Sequence, residues 1–375
     1  MKHRTKPGSH PITASFFLLV GGLLTLALPA RALTINVTYD SSVTNIGTLS
    51  QVQTALGAAV QTIQSLYTNA ITINIGVYGP NAGHFGSISL GQSYFSLTGN
   101  FTYSQIVSAL RTARTTMTDS NAVATLPAGD PTGGSQPWLV GFAEAKALGG
   151  LGGISANDPG SDGEVGFASG TAYTFDPNNR AVAGKYDFIG VALHEITEVM
   201  GRSTFGLNGS GYYVPYDLFR FTSSGVRSFD PNASGAYVSV DNGVTALKFF
   251  NPNNGGDIQD WTTSSPHDSF DAFIPSGVKG ILSAADMTTL DILGYKLNYQ
   301  PPHLTALALG NGSFQLNFTS TPGTSYTILA STNLSLSLSN WSNLGTMTET
   351  SAGHFQFTDT PPANAAQRFY RARLN

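Results

Sequence analysis

Lys185–Gly201 reads KYDFIGVALHEITEVMG, and this stretch decides how the rest of the chain is understood. Phe188, Val191, Ala192, Ile196, Val199 and Met200 fall on helical rows, and Gly201 is a residue able to take the left-handed angles that end a helix. Side chains four residues apart return to one helix face, so His194 and Glu198 can converge on one cation. Glu195, one position after the histidine, points to a neighbouring direction where it can act as general base towards a metal-activated water. Zinc is the expected ion. A second carboxylate in place of the second histidine of the H-E-x-x-H pattern makes bound water less acidic and admits manganese or iron. The bland alternative is a surface helix with two exposed carboxylates and a chance histidine.

Outward from the helix, the 375 residues suffice for one large core and a smaller second one. Charged residues make up only 11%, glycine (42) and proline (19) are plentiful, and no cysteine occurs, so disulfides are excluded. A net charge of -4 gives no continuous cationic surface for a phosphate backbone, which argues against a nucleic-acid partner. Lys2, His3, Arg4 and Lys6 precede an apolar run from Phe16 to Leu28 and then Ala30-Arg31-Ala32, the pattern of a signal peptide (residues 1–32) cleaved after Ala32. The run is shorter than the ~20 residues that span a bilayer. Secretion is expected, with membrane contact only through an uncleaved signal.

From there Leu33–Tyr39 alternates as a strand, Leu49–Tyr67 carries a helical pattern, and Ile71–Val77 alternates again. Tyr103–Thr116 is a further helical stretch, and Ile281–Tyr295 is a closing helix capped by Ser283 and stopped at Gly294. The glycine-rich residues 147–170, with the acidic run 157–163 followed by Glu164–Ala168 and Tyr173–Asp176, read as an exposed loop feeding an edge strand, along whose residues 164–168 an extended peptide can add itself. The expected class is α+β over 33–299. A linker at 300–303 (Pro301-Pro302) leads to short alternating runs over 304–375, a small all-β sandwich of the immunoglobulin or fibronectin type.

Gly190–Arg202, GVALHEITEVMGR, resembles the metzincin-like (zincin) metalloproteases secreted by bacteria, whose pattern runs H-E-x-x-H-x-x-G-x-x-H. Gly201 matches the glycine; Glu198 stands at the second histidine and Thr204 at the third. The resemblance extends over roughly residues 33–299, through Tyr216–Phe221 and Leu282–Tyr295, and its longest block is HEITEVMGR. It implies a metallopeptidase domain and a secreted, zinc-dependent endopeptidase acting on extracellular protein or peptide. The alternative is a catalytically inactive zincin-fold protein serving in surface binding or adhesion. In the C-terminal part, STNLSLSLSNW (331–341) and QRFYR (367–371) resemble a module repeated among exported proteins.

For the third ligand, Asp217 is the first candidate, since it follows a Gly/Tyr-rich loop that can return to the helix, and a structural carboxylate paired with Arg220 or Arg202 is the alternative. His267, in Pro266-His267-Asp268, is the other candidate ligand or else a solvated loop histidine. Asp/Asn/Gly loops at 157–163 and 251–260 offer oxygens to calcium without EF-hand spacing, and exposed Asx-Gly turns explain them as well. Arg202 is placed to meet the helix's carbonyl end or to neutralise Glu198. His84, His303 and His354 read as surface residues, and a monomer is expected.

Overall fold

A computed structural model describes residues 32–374, apart from 135, 205–210, 253–254, 264–265, 299–303, 311, 321–324, 352–353 and 363–366. The expected signal peptide and linker therefore lie outside the described residues. The class is mixed α+β, with several small sheets and few helices. Among the described residues no helix is long and apolar enough to cross a membrane.

The chain opens with strand β1 (Thr34–Tyr39), helix α1 (Leu49–Leu66) and strand β2 (Thr72–Tyr78). Thr48 caps α1 through a reciprocal pair with Gln51, and the stripe Val52, Ala55, Leu56, Ala59, Val60, Ile63 and Leu66 is buried. A helix between the two strands allows β1 and β2 to pair in parallel, in the register Ile35↔Ile73 and Val37↔Ile75. Strands β3 (Gly91–Phe95) and β4 (Leu97–Phe101) follow, then α2 (Tyr103–Ala113) and α3 (Met117–Ala124). Thr116 ends the periodic stretch read as one helix by capping α3 instead of extending α2. Strand β5 (Trp138–Gly141), α4 (Phe142–Ala147), β6 (Gly163–Phe167), α5 (Phe188–Val199) and α6 (Ala284–Ile292) complete the framework around the main core.

The principal sheet has the order β1-β2-β6-β3. β6 pairs with β2 in parallel and with β3 in antiparallel, so residues 164–168 do not form an edge. The edge on that side belongs to β3, a short, polar and glycine-bearing strand of the kind that terminates sheets, and the opposite edge to β1. α5 packs on β3, β6 and α1. Glycine makes that approach close: a Cβ at Gly163 would stand 2.6 Å from the carbonyl oxygen of Tyr94 and 2.7 Å from Val199, and one at Gly91 would stand 2.2 Å from the Glu195 carboxylate.

The last part of the chain holds two antiparallel sheets, one ordered Thr305–Ala308, Phe314–Thr319, His354–Asp359, Thr348–Ser351 and the other Ser342–Thr346, Tyr326–Ser331, Phe369–Leu374. They share a separate core of Leu316, Phe318, Tyr326, Ile328, Met347 and Phe355.

Two alanine substitutions of opposite sign test the helix–sheet spacing. Gly163→Ala drives a methyl into a backbone oxygen and should lower stability by about 1–3 kcal/mol. Gly57→Ala, in α1 with nothing within 4 Å of the added carbon, should raise it by about 0.4–1 kcal/mol. Urea midpoints with unchanged m-values report both.

Candidate metal centre

The site is built on α5, a helix whose polar residues are enclosed. Eleven of its twelve residues are buried, and the exception is His194, whose side chain keeps 13% exposure. The surface-helix alternative is thereby overturned: Glu195 and Glu198 are 6% and 5% exposed. The entry to the helix is fixed by the buried Asp187, which accepts from Arg180 Nη2 at 2.6 Å and from the Gly280 amide at 3.0 Å. Gly190 leaves room for that carboxylate, since a Cβ there would lie 2.7 Å from Asp187 Oδ2. The strap running through Gly280 continues to Ile281, whose carbonyl accepts from the Ser269 amide at 2.7 Å. Ser269 in turn presents its carbonyl oxygen to His194 Nδ1 at 2.9 Å. An acceptor there fixes Nδ1 as the protonated nitrogen and aims Nε2 at the carboxylates.

His194 Nε2 stands 3.6 Å from Glu198 Oε1 and 3.3 Å from Asp260 Oδ1. One ligand atom from each of these three residues lies within 4.8 Å of the others, the one such group of three or more among the described residues. Glu198 is held on both oxygens: Ser93 of β3 donates to Oε2 at 2.7 Å and Gln259 Nε2 donates to Oε1 at 3.0 Å. Thr204, at the position of a third histidine in the metzincin pattern, donates at 3.4 Å to Gln259 Oε1 and so helps to orient that amide.

Beneath the cluster lies Arg202. Gly201 takes φ 108° after the Gly201 amide bonds back to the Glu198 carbonyl, and the chain reverses onto the helix. The guanidinium, fully buried, donates through Nη1 to Asp260 Oδ1 at 2.8 Å, through Nη2 to the His194 carbonyl at 3.3 Å and through Nε to Thr197 Oγ1 at 3.2 Å. Nη2 is 3.6 Å from Glu198 Oε1, and the guanidinium carbon sits 4.0 Å above the Phe270 ring. Arg202 thus meets both the carbonyl end of the helix and Glu198, the two contacts that its position in the sequence suggests.

Electrostatics separate the two glutamates. Burial pushes Glu198 up, but the hydrogen bond and charge of His194, then Arg202 and Gln259, pull it down to about 2. Glu195 is held well above the ordinary carboxylate value by burial first and by Glu198 and Asp260 next, against the opposing charges of His194 and Arg202. Burial lowers His194, yet Asp260 and Glu198 outweigh it and raise the imidazole well above its usual value. The donor set, one imidazole nitrogen with its tautomer fixed and two carboxylate oxygens, suits a divalent transition ion. The buried negative charge that it concentrates is what such an ion neutralises.

The other residues singled out by sequence are elsewhere. Asp217 sits in the 3-10 turn Pro215–Phe219, fully buried, where it accepts from the Val214 amide at 2.9 Å. It lies outside the cluster. His267 has Nδ1 3.5 Å from Asp271 Oδ2 on a partly exposed loop, also outside the cluster. Asp260 takes the third place that sequence reasoning offered to Asp217 and His267. Its loop, 251–260, is enclosed at both ends, where Asn251, Ile258, Gln259 and Asp260 are buried, and exposed between them at Pro252, Gly255 and Asp257. The signal available was the pair Gln259-Asp260 set between Ile258 and Trp261, which takes polar groups inside with their apolar neighbours.

Comparison with protein-family models, with curated proteins and with solved structures finds no match for this chain.

The Asp217 assignment is testable through pH. Burial raises its pKa from 3.8 to about 8, with the Val214 hydrogen bond and Arg220 opposing. The fold therefore retains a proton that the unfolded chain loses, and stability from this group, full below pH 3.8, falls as pH rises towards 8. Asp217→Asn keeps an acceptor for Val214 and removes the titration. Its stability relative to the parent should grow between those two values and then level off, with metal content unchanged. Loss of bound metal in the variant would return Asp217 to the ligand set.

Proposed function

We propose that the chain is an exported, zinc-dependent endopeptidase of metzincin-like fold, carrying a C-terminal β-sandwich of immunoglobulin or fibronectin type. The observation that carries this reading is the convergence of His194, Glu198 and Asp260 on one point, with Glu195 beside them on the same buried helix. His194 through Nε2, Glu198 through Oε1 and Asp260 through Oδ1 would hold the ion, zinc in preference to manganese or iron. When bound, the ion supplies Lewis acidity to a scissile carbonyl and lowers the pKa of water. Calcium is the poorer fit, since the imidazole leaves a hard cation only two carboxylates and few further oxygens.

The rest of the chemistry belongs to the chain's own side chains. Glu195 accepts the proton of the attacking water and returns it to the leaving amine; its enclosed setting raises its basicity. Ser269 fixes the His194 tautomer, Ser93 and Gln259 fix Glu198, and Arg202 fixes Asp260, so the three donors are oriented by a shell of hydrogen bonds. An extended peptide finds its place along the edge strand β3, whose Ser93 already touches Glu198 and whose Gly91 faces Glu195. Export is supported by the sequence of residues 1–32.

One observation favours the non-catalytic reading, a zincin-fold surface protein. Arg202 already places a cation against Asp260 and Glu198, which satisfies both carboxylates without an ion. Elemental analysis after purification without chelators separates the readings: the peptidase should carry about one transition ion per chain and the binding protein none. Glu195→Gln should keep the metal and lower peptidase turnover by about 100-fold or more, the usual contribution of a general base. Equal turnover in parent and variant eliminates Glu195 as that base.

A further inference from the structure

The C-terminal module carries a loop whose leucines face solvent. Thr332–Trp341, entered from the strand Tyr326–Ser331, leaves Leu334 63% exposed and Leu336 and Leu338 each 41% exposed. Its polar side chains do not cover these leucines; they are spent on the loop's own backbone and on one another. The Asn333 amide bonds Ser331 Oγ at 3.0 Å, the Ser335 amide bonds Asn333 Oδ1 at 2.9 Å, and Asn340 Nδ2 donates to Ser337 Oγ at 3.2 Å. Trp341, 9% exposed, closes the loop by donating its indole N–H to the Leu336 carbonyl at 3.2 Å. Here a fixed frame holds three leucines out.

Charge on the neighbouring strand indicates what covers them. The strand Phe369–Leu374 pairs with the strand that feeds the loop, Ser331↔Phe369, Leu329↔Arg371 and Thr327↔Arg373. Arg371 and Arg373 are exposed, with no ion pair among the described residues, whereas Asp359 is already engaged by Arg368 at 2.9 Å and by the Tyr370 hydroxyl at 2.7 Å. Residues 304–375 contain three arginines, two acids and no lysine, in a chain whose net charge is -4. Exposed leucines on an ordered loop, together with exposed arginines on the strand that pairs with the one feeding it, offer the combination that anchors a protein at the interface of an anionic bilayer.

We propose that this loop docks the protein on anionic lipid, with Leu334, Leu336 and Leu338 entering the acyl boundary and Arg371 and Arg373 meeting headgroup phosphates. The contact is independent of the signal sequence and of whether the metal centre is catalytic. It confines the rest of the chain to a membrane surface, and ionic strength weakens its arginine component.

The test uses the chain from Leu33 onward, the form that the expected cleavage leaves and one that contains both hydrophobic cores. Co-sedimentation with vesicles of equimolar phosphatidylglycerol and phosphatidylcholine should exceed that with phosphatidylcholine alone. The variant Leu334→Ser/Leu336→Ser/Leu338→Ser should lose binding by about 1000-fold, taking roughly tenfold for each partly inserted leucine. Arg371→Gln/Arg373→Gln should lower it by about tenfold and remove most of its salt dependence. Trp138 and Trp261 are fully buried, so a vesicle-induced change in indole emission reports Trp341. Unchanged thermal unfolding of the variants shows that the frame persists. If a variant unfolds, single-leucine variants with parental unfolding curves replace it. Equal sedimentation of the parent and the serine variant overturns the proposal. So does absence of vesicle binding together with a light-scattering mass that falls from dimer to monomer in the serine variant, which would assign the leucines to a second copy of the chain.

Discussion

Arg202 donates to Asp260 at 2.8 Å and approaches Glu198 at 3.6 Å from a fully buried position, and the arrangement of the centre follows from that guanidinium. Two carboxylates brought together in the interior repel each other and lose their hydration, a cost of several kcal/mol per ion unless a cation and oriented donors answer it. Arg202 supplies a permanent positive charge below the pair, while Ser93 and Gln259 supply neutral donors from the side. The open side is the one taken by His194 Nε2. A lysine could not serve in the same way, because the single guanidinium reaches a carboxylate, a backbone carbonyl and a hydroxyl at once while lying flat on Phe270.

The same constraint divides the acids by role. Glu198 lies where His194, Arg202 and Gln259 converge and is pulled down to about 2, so it offers a charged oxygen over the whole accessible pH range. Glu195 points away from those donors towards Gly91 on the edge strand and is raised by its surroundings. Neighbours on one helix whose environments drive them in opposite directions are the usual mark of a division between a fixed charge and a proton carrier. Burial alone does not produce that division, since both side chains are enclosed to nearly the same extent. Their hydrogen-bond partners do.

How much of this was legible in the sequence depended on whether the cause was local. The helix from Phe188, its stop at Gly201, the Ser283 cap and the Gly294 stop all follow from periodicity and backbone chemistry within a few residues. The facing of His194 and Glu198 follows from helical pitch. Asp260 did not follow, because it reaches the helix through the packing of Phe250, Trp261 and Phe270, which no local pattern records. Asp217 looked equally suitable until the fold supplied a nearer partner: its turn begins at Pro215, and the Val214 amide captures the carboxylate. The edge of the sheet was misassigned for a related reason. Residues 163–167 are glycine-rich and polar enough to suggest exposure, but Val165 and Phe167 face the core and both flanks are paired.

Glycine content had a second meaning that composition concealed. Forty-two glycines suggest turns, and many do take positive φ in loops. Four of them instead set the position of α5: Gly91 and Gly163 let it press on two strands, Gly190 admits the Asp187 carboxylate, and Gly201 reverses the chain against Glu144. Each removes a methyl group that would meet another atom at 2.2–2.8 Å. A helix that must bring an enclosed carboxylate against a sheet edge, and return an arginine beneath itself, has little tolerance for added volume on those sides. The absence of side chains at these four positions is therefore as much a determinant of the cluster as His194, Glu198 and Asp260 themselves.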